Sequence, residues 1–179
     1  SISGVLVFGR NRDAVNAVSA QFKERHARRE YWAVCHPPES DREISFGVME
    51  DWIVFDRKPN KSRIVADSTH EGSQKASMEV EKLGETDRYW VLRVRLLTGR
   101  HHQIRAQLGA RGMPIVGDLK YGARRSRKGG GIYLHAHSVR FTHPLVPLPL
   151  YVSAPVQEPD GLWNAALDVI RTHPGPSTS

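Results

Sequence analysis

The sequence predicts an α+β domain: a mixed, mostly antiparallel sheet flanked by a few helices. Three observations carry this. Residues 76–96 contain two stretches of apolar/polar alternation with turn residues between them, the pattern of a hairpin. The segment after Thr98 switches to helical spacing. The other apolar runs are short and punctuated by Gly and Pro, without an internal repeat and without a stretch of membrane-spanning length.

Taken in order, Val5-Leu6-Val7-Phe8 reads as a buried strand. Asn11 or Asp13 caps a helix to about Arg25, with Val15, Val18 and Phe22 on one face and Ala14 beside them. Tyr31-Trp32-Ala33-Val34 is a short strand that Pro37-Pro38 ends. Residues 40–74 are polar and turn-rich apart from Trp52-Ile53-Val54-Phe55, which implies a strand or two with mobile connections. In the hairpin, Ala76, Met78 and Val80 alternate with Ser77, Glu79 and Glu81. After a turn at 84–87, Trp90, Leu92, Val94 and Leu96 alternate back, with Arg93 and Arg95 on the opposite face. Thr98 is a candidate cap for a helix from about Arg100 to Arg111 that Gly112 ends in a left-handed conformation. Residues 114–117 make a tight strand or turn, and Ala123–Gly131 is a basic, Gly-rich loop expected to be mobile. Ile132–Phe141 returns as a strand, and Val152 belongs to a last short one. Leu162, Ala166, Val169 and Ile170 mark a helix over Asp160–Arg171. One domain over 1–171 and a disordered tail over 172–179 complete the expectation. The start, on the threshold of a strand and without Met, suggests a domain that is incomplete at its N-terminus.

Charge points to the partner. Twenty-six Lys and Arg against 19 Asp and Glu give +7 and a pI near 9.9, which favours a polyanion, nucleic acid before membrane. The single Cys35 excludes an internal disulfide and any multi-cysteine zinc site and suits a reducing compartment, so a cytoplasmic protein is expected. Cys35 itself reads as a small buried or edge residue rather than a nucleophile.

The stretch TGRHHQIR, 98–105, concentrates the chemistry. On the helix it opens, Arg105 falls beside the apolar stripe of Ile104 and Leu108, and a guanidinium there needs a carboxylate partner. Arg100, His101 and His102 occupy the first turn, where free N–H groups and the helix dipole favour an anion. Spacing alone is equally consistent with a phosphate site and with a core ion pair beside a solvated basic turn.

TGRHHQIR followed by Gly112-Met113-Pro114-Ile115-Val116-Gly117-Asp118 and Tyr121-Gly122 resembles the signature block of the RluA-type pseudouridine synthases, TGR-x-HQ-[IL]-R and G-x-P-I-x-GD-x-x-YG. In the same order, Ser3-Gly4 resembles the end of the motif that bears the family's catalytic aspartate. Arg29-Glu30-Tyr31 resembles its basic-x-Tyr motif, and Leu134-His135-Ala136 with Phe141-Thr142-His143-Pro144 resembles its C-terminal element. The resemblance spans nearly the whole chain. It implies the pseudouridine synthase fold and isomerisation of specific uridines to pseudouridine in rRNA or tRNA, without metal or organic cofactor. It implies an aspartate as covalent catalyst, paired here with Arg105, and Tyr31 lying against the target base as a candidate for handling the ring proton. A flipped-out uridine suits such a pocket.

The chain departs from the pattern in three places. The family's aspartate is expected upstream of Ser1 in an R-L-D context, and Asp13, too far along and at a helix start, does not match it. Gln107 stands where the family often has His, and Arg29 where it prefers Lys. Arg100, His102, Gln103, Lys120, Arg124, Arg125, Arg127 and Lys128 are the expected RNA contacts, although the 124–128 group also reads as a solvated loop. His135 and His137 share a strand face, but no acidic or Cys partner supports a metal. Asp118 is expected to hold a turn by accepting from backbone N–H groups. A monomer that binds RNA, and neither membrane nor metal, is expected. Two alternatives stand beside the enzyme: an RNA-binding domain that keeps the fold without the aspartate, and a basic enzyme acting on phosphorylated metabolites.

Overall fold

The computed structural model describes residues 2–39 and 43–173. The tail expected to be disordered lies, from residue 174 on, outside the described residues, as does part of the expected loop after Pro38. Among the described residues the strands are β1 Ser3–Gly4, β2 Arg28–Cys35, β3 Gly47–Asp56, β4 Lys61–Val65, β5 Gln74–Glu85, β6 Trp90–Leu96, β7 Leu134–Thr142 and β8 Pro149–Ser153. They form one sheet in the order β1-β7-β2-β6-β5-β3-β4, with β8 also pairing with β7. Every pairing is antiparallel except the parallel contact of β1 with β7. The helices are α1 Arg12–Lys23, α2 Gln103–Ala110 and α3 Gly161–Thr172.

The 76–96 hairpin is β5 and β6, with Met78 opposite Leu96 and Val80 opposite Val94. Register extends those rows sideways: Val94 faces Tyr31 on β2, and Met78 faces Met49 on β3. Tyr31, Val94, Val80, Met78 and Met49 therefore share one sheet face. Asp51, two residues on from Met49, lies on that face too, and α2 packs there: Gln107 donates to Asp51 at 2.6 Å and Arg111 at 2.8 Å. Burying Leu108 and Ile104 with Met113 and Ile115 joins α2 to the main core, each such side chain contributing about 1.5–3 kcal/mol.

The opposite face is a charge ladder rather than a solvated surface. Glu30, Arg95 and Glu79 sit side by side on β2, β6 and β5, as do Arg93 and Glu81. Arg93 is buried, 2.9 Å from Glu81 and 3.5 Å from Glu30. The end of α3 covers it, with the His173 carbonyl 3.4 Å from its Nη2. Asp160 caps α3 by accepting from the Trp163 N–H at 2.9 Å, and Trp163 and Ala166 are the helix's buried residues.

Two expectations need correction, and the cover of α1 is a further finding. Val5–Phe8 is not a buried strand: only Ser3 and Gly4 pair with β7, and Leu6 and Phe8 are 73% and 80% exposed. After Val5 donates to the Ala136 carbonyl, the chain leaves the sheet towards Asn11, which caps α1. The face of α1 with Val15, Val18 and Phe22 contains no buried residue. The helix is instead fastened by Gln21, whose amide donates to the Thr142 carbonyl and accepts from the Thr142 N–H. Finally, α2 begins at Gln103, not Arg100, because His102 takes a left-handed conformation (φ 51°) that cannot belong to a right-handed helix. The C-terminal end matches: Gly112, at φ +75°, closes the helix with Met113 N–H on the Leu108 carbonyl.

Candidate active site and nucleic-acid interface

Thr98 stands at the end of β6 and accepts from the Ser77 N–H at 2.8 Å. Its hydroxyl also donates to Gln103 Oε1 at 2.7 Å, an oxygen that additionally accepts from the Arg100 N–H. The Gln103 amide nitrogen in turn donates to the Ser77 carbonyl at 3.0 Å. Gln103 is thus buried and fully engaged within the protein. The expectation that it contacts RNA is corrected: it stitches the TGR turn to β5, because a buried amide left unpaired is strongly destabilising.

His102 precedes α2 in the left-handed region, at φ 51°, a conformation that costs a non-glycine residue about 1–3 kcal/mol unless its surroundings enforce it. They do. Its Nε2 is 2.8 Å from Arg105 Nη1 and its Nδ1 is 3.0 Å from the Tyr121 hydroxyl. Because Arg105 can only donate, Nε2 must accept, which puts the proton on Nδ1. Burial, then the charge of Arg105, pushes the His102 imidazole down to about 4. At neutral pH His102 is uncharged, so it does not act as a phosphate-binding cation.

Arg105 has its carboxylate partner, but that partner is Asp118. Nε and Nη2 donate to the two carboxylate oxygens at 2.7 and 2.8 Å, a bidentate fork, while the guanidinium lies 4.8 Å from the Tyr121 ring centre. Asp118 is 1% exposed, and its side chain bonds Arg105 rather than the turn N–H groups assigned to it from sequence. The short 3-10 turn Leu119–Tyr121 brings Tyr121 under α2. A β-carbon on Gly109 would lie 2.7 Å from the Tyr121 carbonyl, so only glycine permits that approach. The Ser62 N–H donates to the Tyr121 hydroxyl, tying β4 into the group.

Tyr31 lies elsewhere on the same sheet face. It lines a cleft of about 130 Å³ with Val5, Leu6, Phe22, Arg29 and Ser138 among its walls. Burial raises its phenol above the ordinary value, with Arg29 opposing, so the hydroxyl is protonated at neutral pH. Arg105 does not line this cleft. The structure brings Arg29 and Gly99 together beside it: a β-carbon on Gly99 would meet Arg29 Nη2 at 2.5 Å.

The remaining expected RNA contacts divide. Arg100 is exposed and donates to the Lys75 carbonyl at 2.9 Å. Lys120 is exposed and holds the carbonyls of Pro59 and Asn60. Arg125 and Lys128 are exposed, and Arg124 pairs with Glu39 at the surface. Arg127 departs from expectation: it donates twice to Asp160, the α3 cap, and lies over the Tyr133 ring at 4.6 Å, anchoring the loop instead of presenting a free charge. His135 uses both ring nitrogens, on Ser3 Oγ and the Ala154 carbonyl, each at 2.9 Å, while His137 stacks on Trp32 at 3.7 Å. Cys35 is fully buried and its thiol is pushed up by burial, consistent with an inert core position.

Residues 2–110 match the family model described as RNA pseudouridylate synthase. Among curated relatives, "tRNA pseudouridine synthase C" of Salmonella typhimurium is 28% identical over 92% of this chain and 67% of its own length. "Ribosomal large subunit pseudouridine synthase D" of Xylella fastidiosa is 32% identical over 87% of this chain and 49% of its own length. The chain spans about half to two thirds of the length of the relatives it matches. Among solved structures, "Human RNA Pseudouridylate Synthase Domain Containing 1" superimposes with a TM-score of 0.61 at 25% identity, covering 82% of this chain and 61% of that one.

Proposed function

Because the chain belongs to the RNA pseudouridylate synthase family, of the RluA type, we propose that it forms the greater part of a catalytic domain that converts uridine in RNA to pseudouridine. The observation that supports this best is the cleft at Tyr31, one wall of which is Arg29, whose guanidinium packs against Gly99 of the TGR turn. In this reading the target uridine leaves its stack and its ring lies against Tyr31. The N1–C1′ bond breaks, C1′ joins C5, the C5 proton departs and N1 gains one, so no external reagent is consumed. Tyr31 supplies the stacking surface and a hydroxyl positioned for the ring proton. Arg105, which the resemblance makes the partner of the catalytic acid, is given a positioning role here: its fork is taken by Asp118, and the pair stiffens the corner that carries Gly99 beside Arg29. The substrate class is rRNA or tRNA, in line with the names of the relatives.

The test is release of tritium from RNA labelled at uridine C5, using the gene-encoded polypeptide that contains these residues. Release that tracks pseudouridine in digested RNA is expected, and RNA binding without release would reject the catalytic reading. One observation favours a second reading, an RNA-binding domain without catalysis: Arg105 already has a carboxylate partner that is not a family catalytic residue.

A further inference from the structure

The Tyr31 cleft shares Arg29 with a larger neighbouring cavity of about 280 Å³. This second cavity lies at the rim of the sheet, where β2 begins and β6 ends, with Leu96 and Leu97 as its apolar part. Four arginines line it, Arg25, Arg28, Arg29 and Arg95, against one carboxylate, Glu79. Gathering four guanidinium groups round one concavity is repulsive unless something offsets them. Arg95 is offset internally, 3.3 Å from Glu30 and 3.5 Å from Glu79. Among the described residues, Arg25, Arg28 and Arg29 have no carboxylate within 4.0 Å.

Arg29 is held without a counter-charge. Its guanidinium lies 4.3 Å over the Phe22 ring and packs against Gly99, and its Nε is enclosed with no hydrogen-bond partner. Arg29 lines both cavities, so its guanidinium, with no carboxylate partner and its Nε–H unpaired, has hydrogen-bonding capacity left for an acceptor bound there. Arg25, at φ 61° just beyond α1, and Arg28, the first residue of β2, add two more unpaired charges to the same concavity.

We propose that this rim cavity binds a backbone phosphate of the RNA strand, adjacent to the nucleotide whose base enters the Tyr31 cleft, with Arg25, Arg28 and Arg29 as its donors. The inference rests on the RNA-substrate reading above. A phosphate and the neighbouring base are joined by one ribose, which fits two concavities that share one wall residue, and Leu96 and Leu97 offer that ribose an apolar surface. Arg29 then couples the two: it grips the strand on one side and borders the base cleft on the other.

The experiment measures fluorescence anisotropy of a fluorescein-labelled tRNA transcript against salt, for the wild-type chain, Arg25→Gln/Arg28→Gln and Arg88→Gln/Arg171→Gln. The last pair removes the same charge from the β5–β6 turn and the end of α3, away from the rim. Arg25→Gln/Arg28→Gln should weaken binding about ten-fold and lower the salt slope by about 0.7–0.9, as expected when one phosphate is no longer neutralised by the protein. The control pair should stay within about two-fold of wild type with an unchanged slope, and Arg25→Lys/Arg28→Lys should keep most of the slope. An unchanged slope in the rim variant, or an equal loss in the control, overturns the proposal. Absence of RNA binding by the wild-type chain overturns the RNA reading together with it.

Discussion

Asp118→Asn is the change with the clearest stability consequence. The carboxylate is 1% exposed and both its oxygens accept from Arg105, whose side chain is 17% exposed. Asparagine keeps the shape and one acceptor but removes the charge, so the guanidinium is left mostly enclosed opposite an amide N–H₂. Removing one partner of a buried pair costs about 3–5 kcal/mol, and the partial exposure of Arg105 places this case near the lower end, about 3 kcal/mol. For a chain of this size that is a fall of about 6–12 °C in melting temperature. Urea unfolding of Asp118→Asn, Arg105→Gln and the double variant forms a cycle. Because either single change strands the other partner, the double variant should be less destabilised than the sum by about 2 kcal/mol. His102 should respond too, since Arg105 is the donor its Nε2 accepts from. A coupling below about 0.5 kcal/mol would refute the claim that this pair holds α2 to the turn before Tyr121.

Three further outcomes are expected. His102 is neutral when folded, its pKa pushed to about 4 from 6.5, so the stability this contributes is complete above about pH 6.5 and lost as pH falls through about 4. In unfolding measurements across that window, His102→Asn should flatten the pH dependence by about 1–2 kcal/mol after allowance for solvent screening, and an identical pH profile would contradict the burial argument. Tyr31→Phe keeps the stacking face and removes the hydroxyl, so RNA affinity should stay within about two-fold while tritium release falls by about 10²–10⁴-fold; unchanged release would leave Tyr31 as a stacking residue alone. Arg125→Gln/Lys128→Gln should weaken RNA binding across sequences and flatten the salt slope, whereas Arg127→Gln should first lower the melting temperature, because Arg127 braces the α3 cap; a loop variant that changed which uridine is modified at constant salt slope would contradict the phosphate assignment.

What was legible in the sequence was periodic. The alternation of Met78, Val80, Leu92 and Val94 identifies β5 and β6 and their pairing, and helical spacing marks α1 and α3, with Asn11 one of the two caps expected for α1, while the cap role of Asp160 emerges only in the structure. The TGRHHQIR resemblance placed the family, and the family match agrees with it. The apolar content of Val5–Phe8 misled because hydrophobicity without alternation does not say whether anything covers a segment, and Leu6 and Phe8 are exposed. The Arg105 partner was missed for a different reason. Helical position shows that an arginine needs a carboxylate, but not which distant acid the chain folds beside it. Arg105 and Asp118 are 13 positions apart, with a tight turn between them. The Gly117-Asp118 and Tyr121-Gly122 spacing was the available signal, since a turn that short can bring an acid and a tyrosine under the same helix.

The density of polar groups at residues 98–105 has an explanation that differs from simple anion attraction. Thr98 and Gln103 close the turn on Ser77, His102 is held in a left-handed conformation by Tyr121 and Arg105, and Arg105 is neutralised by Asp118. Most of the segment's hydrogen-bonding capacity is therefore used to make one rigid corner. Gly99 is the position where that corner turns outward, and there the guanidinium of Arg29 packs against it. Among the described residues without a carboxylate within 4.0 Å, Arg29 borders both this corner and the Tyr31 cleft, Arg25 and Arg28 line the rim cavity beside it, and Arg100 is exposed. Under the reading proposed above, this rigid corner fixes Arg29 beside the Tyr31 cleft, and the arginines around it offer phosphate contacts, which position a strand without reading its sequence.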